Sequence, residues 1–335
     1  MEYEISPDYL PINPGSLRTD TVVGCDIYLL AKTTAEVRFV LYCRGDAIFE
    51  ESKKEILVAK KIKSLFVKKE DQQTYFDYLE NNFQDILSDT KIPPDEKTKI
   101  VHSAATNLVK DLFDDPRTGN IQRTKTFAYN MVDYILKGGN AAENLLKIAV
   151  HEYYTYTHSV NVAAVGTLFA KNIGLGENDL KQLCSGILLH DLGKTKISTD
   201  ILNKKGKLTK EEFQIIKAHP VLGAAILKET GRNLKDECII TLQHHENFDG
   251  TGYPYGLKKD EIHPSGRIAR IIDVYNALTT NRSYAEAVRP FNALVEMKEK
   301  MLNCFDKEMF IEFIRFLGPY DPRGKPPRKK DKIYS

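Results

Sequence analysis

Five of the eight histidines stand beside acids or glycines over a limited stretch: His158, His190, His219, His244 and His245. Asp191 follows His190 directly, and Asp273 comes later in Ile271-Ile272-Asp273-Val274-Tyr275. An imidazole gives a divalent cation one neutral nitrogen, and a carboxylate has two oxygens that can bridge a pair of cations. Two such ions sharing a carboxylate can also share a water and lower its pKa enough to supply hydroxide at neutral pH. Nitrogen and oxygen donors without thiolate suit iron, manganese or another first-row metal, without choosing among them. A lone histidine is more often structural or exposed, and His102, His151 and His263 are read that way. The His-Asp doublet alone could be a hydrogen bond, and His244-His245 alone a polar helix end. Their company with glycine-rich loops weighs against both.

The segments that must gather these residues have helical patterns. Val160 to Ala170 is apolar and rich in small residues, as in a buried helix. Asn178 is placed to cap a helix that reaches His190. Thr209 with Glu212 has the form of a capping box, and Pro220 after His219 demands a kink or a restart. Upstream, Tyr75, Phe76, Leu79, Phe83, Ile86 and Leu87 recur at three- and four-residue steps, which predicts one helix. Pro93-Pro94 stops it and opens another to about Phe113, and a further helix covers about Ile121 to Leu136. The first residues differ. Val22 to Leu30 and Val37 to Cys43 are rich in β-branched and aromatic residues, which predicts strands. Ser52 to Lys63 has helical spacing, and Leu65-Phe66-Val67 reads as a short strand. The expectation is a mostly α protein. Residues 1–70 form a small α/β regulatory domain, 71–140 a helical connector, 141–318 an all-helical bundle, and 319–335 a basic disordered tail.

Several blocks then carry a family resemblance. His190-Asp191-Leu192-Gly193-Lys194 resembles the H-D-x-G-K motif of the HD superfamily of metal phosphohydrolases. His244-His245-Glu246-Asn247-Phe248-Asp249-Gly250-Thr251-Gly252-Tyr253-Pro254 resembles the signature of HD-GYP domains. The segment around His158, the His219-Pro220 pair and the run from Asp273 to Thr280 are similar to further blocks, in the right order. The resemblance covers roughly 150–318. It implies an HD-type helical bundle in which His158, His190, Asp191 and Asp273 hold one metal. Asp191 bridges to a second, held by His219, His244 and His245. Some members hold a third metal through an acid four positions before the first histidine. Tyr154 stands there, so two ions are expected.

The resemblance also implies the substrate, a cyclic dinucleotide, chiefly cyclic di-GMP. Its phosphodiester is attacked by metal-bound hydroxide to give linear pGpG or GMP. Lys194 lies about one turn beyond His190 and is the expected phosphate or leaving-oxygen contact. Gly252 permits close backbone approach, Tyr253 is placed to stack on a base, and Arg282 to pair with phosphate. Asn276 stands where the family commonly has Asp, and Ala285 where it commonly has Arg or Lys. Both positions lie on the ligand side by resemblance. These departures keep two alternatives open: a sensor that binds metal and nucleotide with little turnover, and a phosphodiesterase for cyclic GMP-AMP.

The whole chain is consistent with that picture. It has 335 residues, 48 Lys and Arg against 46 Asp and Glu, and a net charge of +2. That balance argues against binding long nucleic acid. The five cysteines form no C-x-x-C pair, which favours free thiols in a reducing compartment. No signal-peptide order or membrane-length apolar run is present, so a cytoplasmic protein is expected. Expected partners are the dinucleotide and a signalling protein, met through the N-terminal domain or the G-Y-P loop. Homodimerisation stays open.

Overall fold

The computed structural model describes residues 8–32, 37–137, 155–204, 206–280 and 287–318. Among them, 8–107 with Lys137 form one compact unit, and 108–136 with 155–318 form the other.

In the first unit, strands lie at Tyr9–Ile12 (β1), Ile27–Lys32 (β2), Val37–Cys43 (β3) and Leu65–Lys68 (β4). They make one antiparallel sheet in the order β1-β4-β2-β3. The sequence patterns miss β1, because Pro11 sits inside it. An edge strand tolerates proline, since one row of its N–H groups needs no partner. The strand expected from Val22 begins only at Ile27. Gly24 takes φ 88° and turns the chain, its N–H donating to the Gly45 carbonyl at 3.0 Å. Val22 keeps only an isolated bridge to Ile48. Helix α1, Glu51–Ala59, stops short of Lys63. The single helix expected over 75–87 is two, α2 at Gln72–Asn81 and α3 at Phe83–Ser88. Its apolar stripe survives the break, with Tyr75, Phe76, Leu79, Phe83, Ile86 and Leu87 all buried. Helix α4, Pro94–Asp114, begins in this unit, and its residues from Leu108 belong to the other.

The second unit is helical: α5 at Thr118–Leu136, α6 at Thr155–Asn172, α7 at Glu177–Leu189, α8 at Thr199–Leu202 and α9 at Lys210–Lys217. Then come α10 at His219–Glu229, α11 at Lys235–Gln243, α12 at Pro264–Thr279, α13 at Pro290–Lys300 and α14 at Lys307–Leu317. Every residue of α6 from Thr157 to Ala170 is buried, as its small, apolar sequence requires. It packs on α7 and α12, while α7 packs on α5 and α11. Phe313 of α14 meets Phe169 and Tyr275 edge-on at 5.3 and 5.2 Å. A buried ion pair crosses the bundle. Lys125 of α5 lies 2.8 Å from Glu237 of α11, which also accepts from Ser185 of α7 at 2.9 Å. Removing one partner of such a pair strands a buried charge.

The helix starts explain how the histidines are delivered. α7 begins at Glu177 behind Gly176 with no side-chain cap, so Asn178 is not the cap its residue type suggested. The capping box at α9 forms on both sides, Thr209 Oγ1 accepting from the Glu212 N–H and Glu212 accepting from the Thr209 N–H. α9 ends at Lys217 and α10 restarts at His219, with Pro220 in its first turn, where the missing N–H costs nothing. The basic tail, His151, Tyr154, Arg282 and Ala285 lie outside the described residues. Among the described residues, no helix is long and apolar enough to cross a membrane.

Candidate metal centre

Five elements end or turn at one place. α6 brings His158. The end of α7 brings His190 and Asp191. The start of α10 brings His219, the end of α11 His244 and His245, and the middle of α12 Asp273. His219, His244 and His245 offer ligand atoms within 4.8 Å of one another, as do His158, His190 and Asp273. A third overlapping group is His190, Asp191 and His244. The Asp191 carboxylate stands between the sets. Its Oδ1 lies 3.4 Å from His219 Nε2, and its Oδ2 lies 3.4 Å from His190 Nε2.

Three of the imidazoles are oriented by backbone carbonyls three residues back. His190 Nδ1 donates to the Ile187 carbonyl at 2.6 Å, His219 Nδ1 to Ile216 at 2.7 Å, and His244 Nδ1 to Thr241 at 2.8 Å. A carbonyl only accepts, so each Nδ1 carries the proton and each neutral ring turns an Nε2 lone pair inward. His158 is fixed from farther off, its Nδ1 lying 2.7 Å from Asn276 Oδ1 on α12. Lone pairs therefore face each other where His219 Nε2 and His244 Nε2 are 3.0 Å apart, and His158 Nε2 is set against Asp273 Oδ1 at 3.0 Å. His190 Nε2 and Asp191 Oδ1 are buried with no hydrogen-bond partner. Such a cluster is costly as it stands and is relieved by cations. The donor set thus fits divalent metal.

Protonation follows the same logic. Burial holds His219 down to about 4 and pulls His244 and His245 well below the usual imidazole range. Burial raises the Asp191 carboxyl, but His190 and Lys194 outweigh it and hold the group far below the usual range. Asp273 is likewise lowered against its burial, by the His158 contact and the charge of His245. His190 is raised, because Asp191 overcomes its burial. Neutral imidazoles and ionised carboxylates are the forms that bind metal.

Backbone contacts set the cluster's walls. A Cβ on Gly193 would stand 1.9 Å from the His219 carbonyl oxygen, so the turn after Asp191 lies directly on the start of α10. A Cβ on Gly252 would come within 2.2 Å of the Asn247 nitrogen, which is why the G-Y-P loop can fold onto the end of α11. Glu246 is buried and accepts the Tyr255 and Leu257 N–H groups at 2.7 and 3.0 Å, pinning that loop. Burial raises its carboxyl despite those bonds. Arg270, one turn before Asp273 on α12, donates from Nε to Asn247 Oδ1 at 2.9 Å. Neither residue stands out by type. Arg270 is signalled only by its i, i+3 spacing to Asp273, and Glu246 only by its place after the histidine pair.

The family follows from this arrangement and from comparison. Residues 140–309, half of the chain, match the model of the HD domain. The chain belongs to the HD domain family. That family is metal-dependent, and this HD domain carries the HD-GYP signature on the loop that covers its histidine cluster. The Pseudomonas aeruginosa protein named cyclic di-GMP phosphodiesterase PA4108 is 35% identical over 65% of this chain and 53% of its own length. The Vibrio cholerae 3'3'-cGAMP-specific phosphodiesterase 3 is 36% identical over 49% of this chain and 36% of that protein. The Xanthomonas campestris response regulator RpfG, named a cyclic di-GMP phosphodiesterase, is 36% identical over 45% and 40%. The chain thus spans about half or less of the length of these relatives. Among solved structures, Bd1817, an HDG"Y"P protein from Bdellovibrio bacteriovorus, superposes with TM-score 0.64 at 21% identity. It covers 93% of this chain and all of its own, a likeness of fold.

The residues expected on the substrate side are distributed less simply. Lys194 points into the centre, its Nζ 2.6 Å from Asp191 Oδ2. Tyr253 stacks on the His245 imidazole, with ring centroids 4.7 Å apart at 27°. Gly252 makes its close approach to protein backbone, beside Asn247. Asn276 is 2% exposed and lies behind His158, its Oδ1 against the ring's Nδ1. Arg282 falls outside the described residues.

Proposed function

We propose that the chain is a metal-dependent phosphodiesterase that hydrolyses a cyclic dinucleotide, with cyclic di-GMP the first candidate, to linear pGpG and on to GMP. One observation carries this reading: the inward-facing Nε2 lone pairs of His219 and His244 3.0 Å apart, with a buried carboxylate between two histidine sets. Two first-row ions, iron or manganese, are the expected occupants. His158, His190 and Asp273 would hold one, and His219, His244 and His245 the other, with Asp191 shared. When bound, the pair supplies Lewis acidity, which acidifies water and offsets charge on phosphoryl oxygens.

The chain's own groups do the rest. Backbone carbonyls and Asn276 keep four of the five imidazoles, those of His158, His190, His219 and His244, in the ligating tautomer. Lys194 holds Asp191 Oδ2 with its ammonium and keeps a proton within reach of a leaving oxygen. Tyr253 stacks on His245 and shields it. Asn276 is buried against His158, which leaves Ala285 as the departure that favours a sensor without turnover. A second substrate, 3'3'-cGAMP, stays in view because relatives named for each dinucleotide are 35% and 36% identical over their matched segments.

The test is purification without oxygen, metal analysis, and assay on cyclic di-GMP and 3'3'-cGAMP. The expected result is two ions per chain and hydrolysis of at least one substrate. Asp191→Ala should lower turnover by a factor of about 100 or more, since it removes the shared ligand and the partner of Lys194 together. Tight binding of either dinucleotide with no turnover under iron or manganese would replace the enzyme with a sensor.

A further inference from the structure

The metal-binding residues account for the reacting phosphate and leave open how the rest of the ligand is held. Beside them, α9 carries a feature that the metal reading does not use. Lys217 places its ammonium 5.2 Å from the centroid of Tyr253, the ring stacked on His245. The same ammonium lies 5.0 Å from the centroid of Phe213, one turn back on α9. Among the described residues Lys217 makes no ion pair. Two π faces hold it instead, which steadies the charge without neutralising it. Phe213 is 44% exposed, unusual for a ring beside a buried centre. It also lines a cleft of about 670 Å³ with Leu202, Leu208 and Ile216, and Lys207 and Lys210 stand at the same cleft. Clefts that hold small ligands have volumes of about 300–1,000 Å³.

A cyclic dinucleotide presents two phosphates and two purines. With one phosphate at the cluster, the second phosphate needs a cation and at least one purine needs a flat apolar face. Taking the phosphodiesterase reading as its basis, the geometry points to Phe213 and Lys217 as a nucleotide subsite. The Phe213 ring stacks a purine of the bound dinucleotide, and the Lys217 ammonium pairs with the phosphate that is not being cleaved. Lys204 is not part of it, because its Nζ is taken by Glu212 at 2.7 Å. The capping box that starts α9 holds Phe213 and Lys217 at a fixed one-turn spacing, and the last turn of α9 supplies the Ile216 carbonyl that orients His219. Purine binding and metal ligation are thereby mounted on one short helix.

The chain contains no tryptophan, so Phe213→Trp installs a single reporter at the proposed stacking face. In the metal-loaded protein, its emission should be quenched as cyclic di-GMP is added, at the concentration where calorimetry shows binding. Phe213→Ala should raise KM about tenfold or more, with a smaller fall in kcat, because base–aromatic stacking is worth about that much. Lys217→Gln should raise KM and flatten its dependence on salt, and Lys217→Arg should restore both. Metal content should match the unaltered protein in all four variants. Binding by calorimetry without quenching, or an unchanged KM in Phe213→Ala and Lys217→Gln, overturns the subsite alone. Absence of any dinucleotide binding by the unaltered, metal-loaded protein overturns the phosphodiesterase reading, and this inference with it.

Discussion

Asn276 shows how one atom type can be mistaken from sequence and then explained by position. Beside a tyrosine on an active-site helix, an amide reads as a contact for a base edge. In the fold its oxygen accepts the His158 Nδ1 proton at 2.7 Å. The residue therefore decides which nitrogen His158 presents, and how basic that nitrogen is. A carboxylate there would accept the same proton and make Nε2 a stronger donor. Asn276→Ala should weaken metal binding about tenfold or more, measured by competition with a calibrated chelator. Asn276→Asp should bind at least as tightly as the unaltered protein. Equal affinities for Ala and Asn at this position would show that the tautomer is fixed elsewhere.

At the level of elements, what matters is how closely backbones approach. The turn after Asp191 meets α10 through Gly193 and Gly223, with no side chain between. Gly193→Ala would put a methyl against the His219 carbonyl and the Gly223 nitrogen, neither of which can rotate away. α10 would have to withdraw and take His219 with it. The expected cost is about 3 kcal/mol in urea unfolding, together with loss of metal. A variant as stable as the unaltered protein would mean that the turn has room to give. Such approaches also mark the limit of reading from sequence. The seven histidines and aspartates could be picked out because ligand chemistry is restricted to few residue types. The start of α9 was legible because a capping box needs only four residues. The orientation of the rings was not, since three of the four Nδ1 partners are or would be anonymous backbone carbonyls. Strand β1 hid behind Pro11, and the break between α2 and α3 interrupts an apolar stripe that continues unaltered across it.

Over the whole molecule, the cluster ties stability to pH and to metal. In the chelated protein, His219 is held near 4 in the fold against about 6.5 when unfolded. Below pH 6.5 the unfolded chain takes up a proton that the fold refuses, so stability falls as pH drops from 6.5 towards 4. The slope from this residue alone approaches about 1.4 kcal/mol per pH unit. His244 and His245 are lowered for the same reason and act in the same direction. Asp191 and Asp273 have depressed carboxyls, so they add stability above about pH 4 that is lost on further acidification. Thermal melts of chelated protein from pH 8 to 4 should therefore show a steady decline that begins near 6.5. Adding manganese at pH 7 should raise the melting temperature. A flat profile between 7 and 5 would mean that the imidazoles are already charged or exposed.

The three histidine rings steered by carbonyls three residues back take their aim from the nearest stretch of chain. Folding then forces like-natured electron pairs together, and only a guest ion makes that meeting comfortable. A cell starved of the ion would accordingly hold less of this protein, because the empty form spends more time open to proteases. Mineral supply would regulate its dosage as well as its speed.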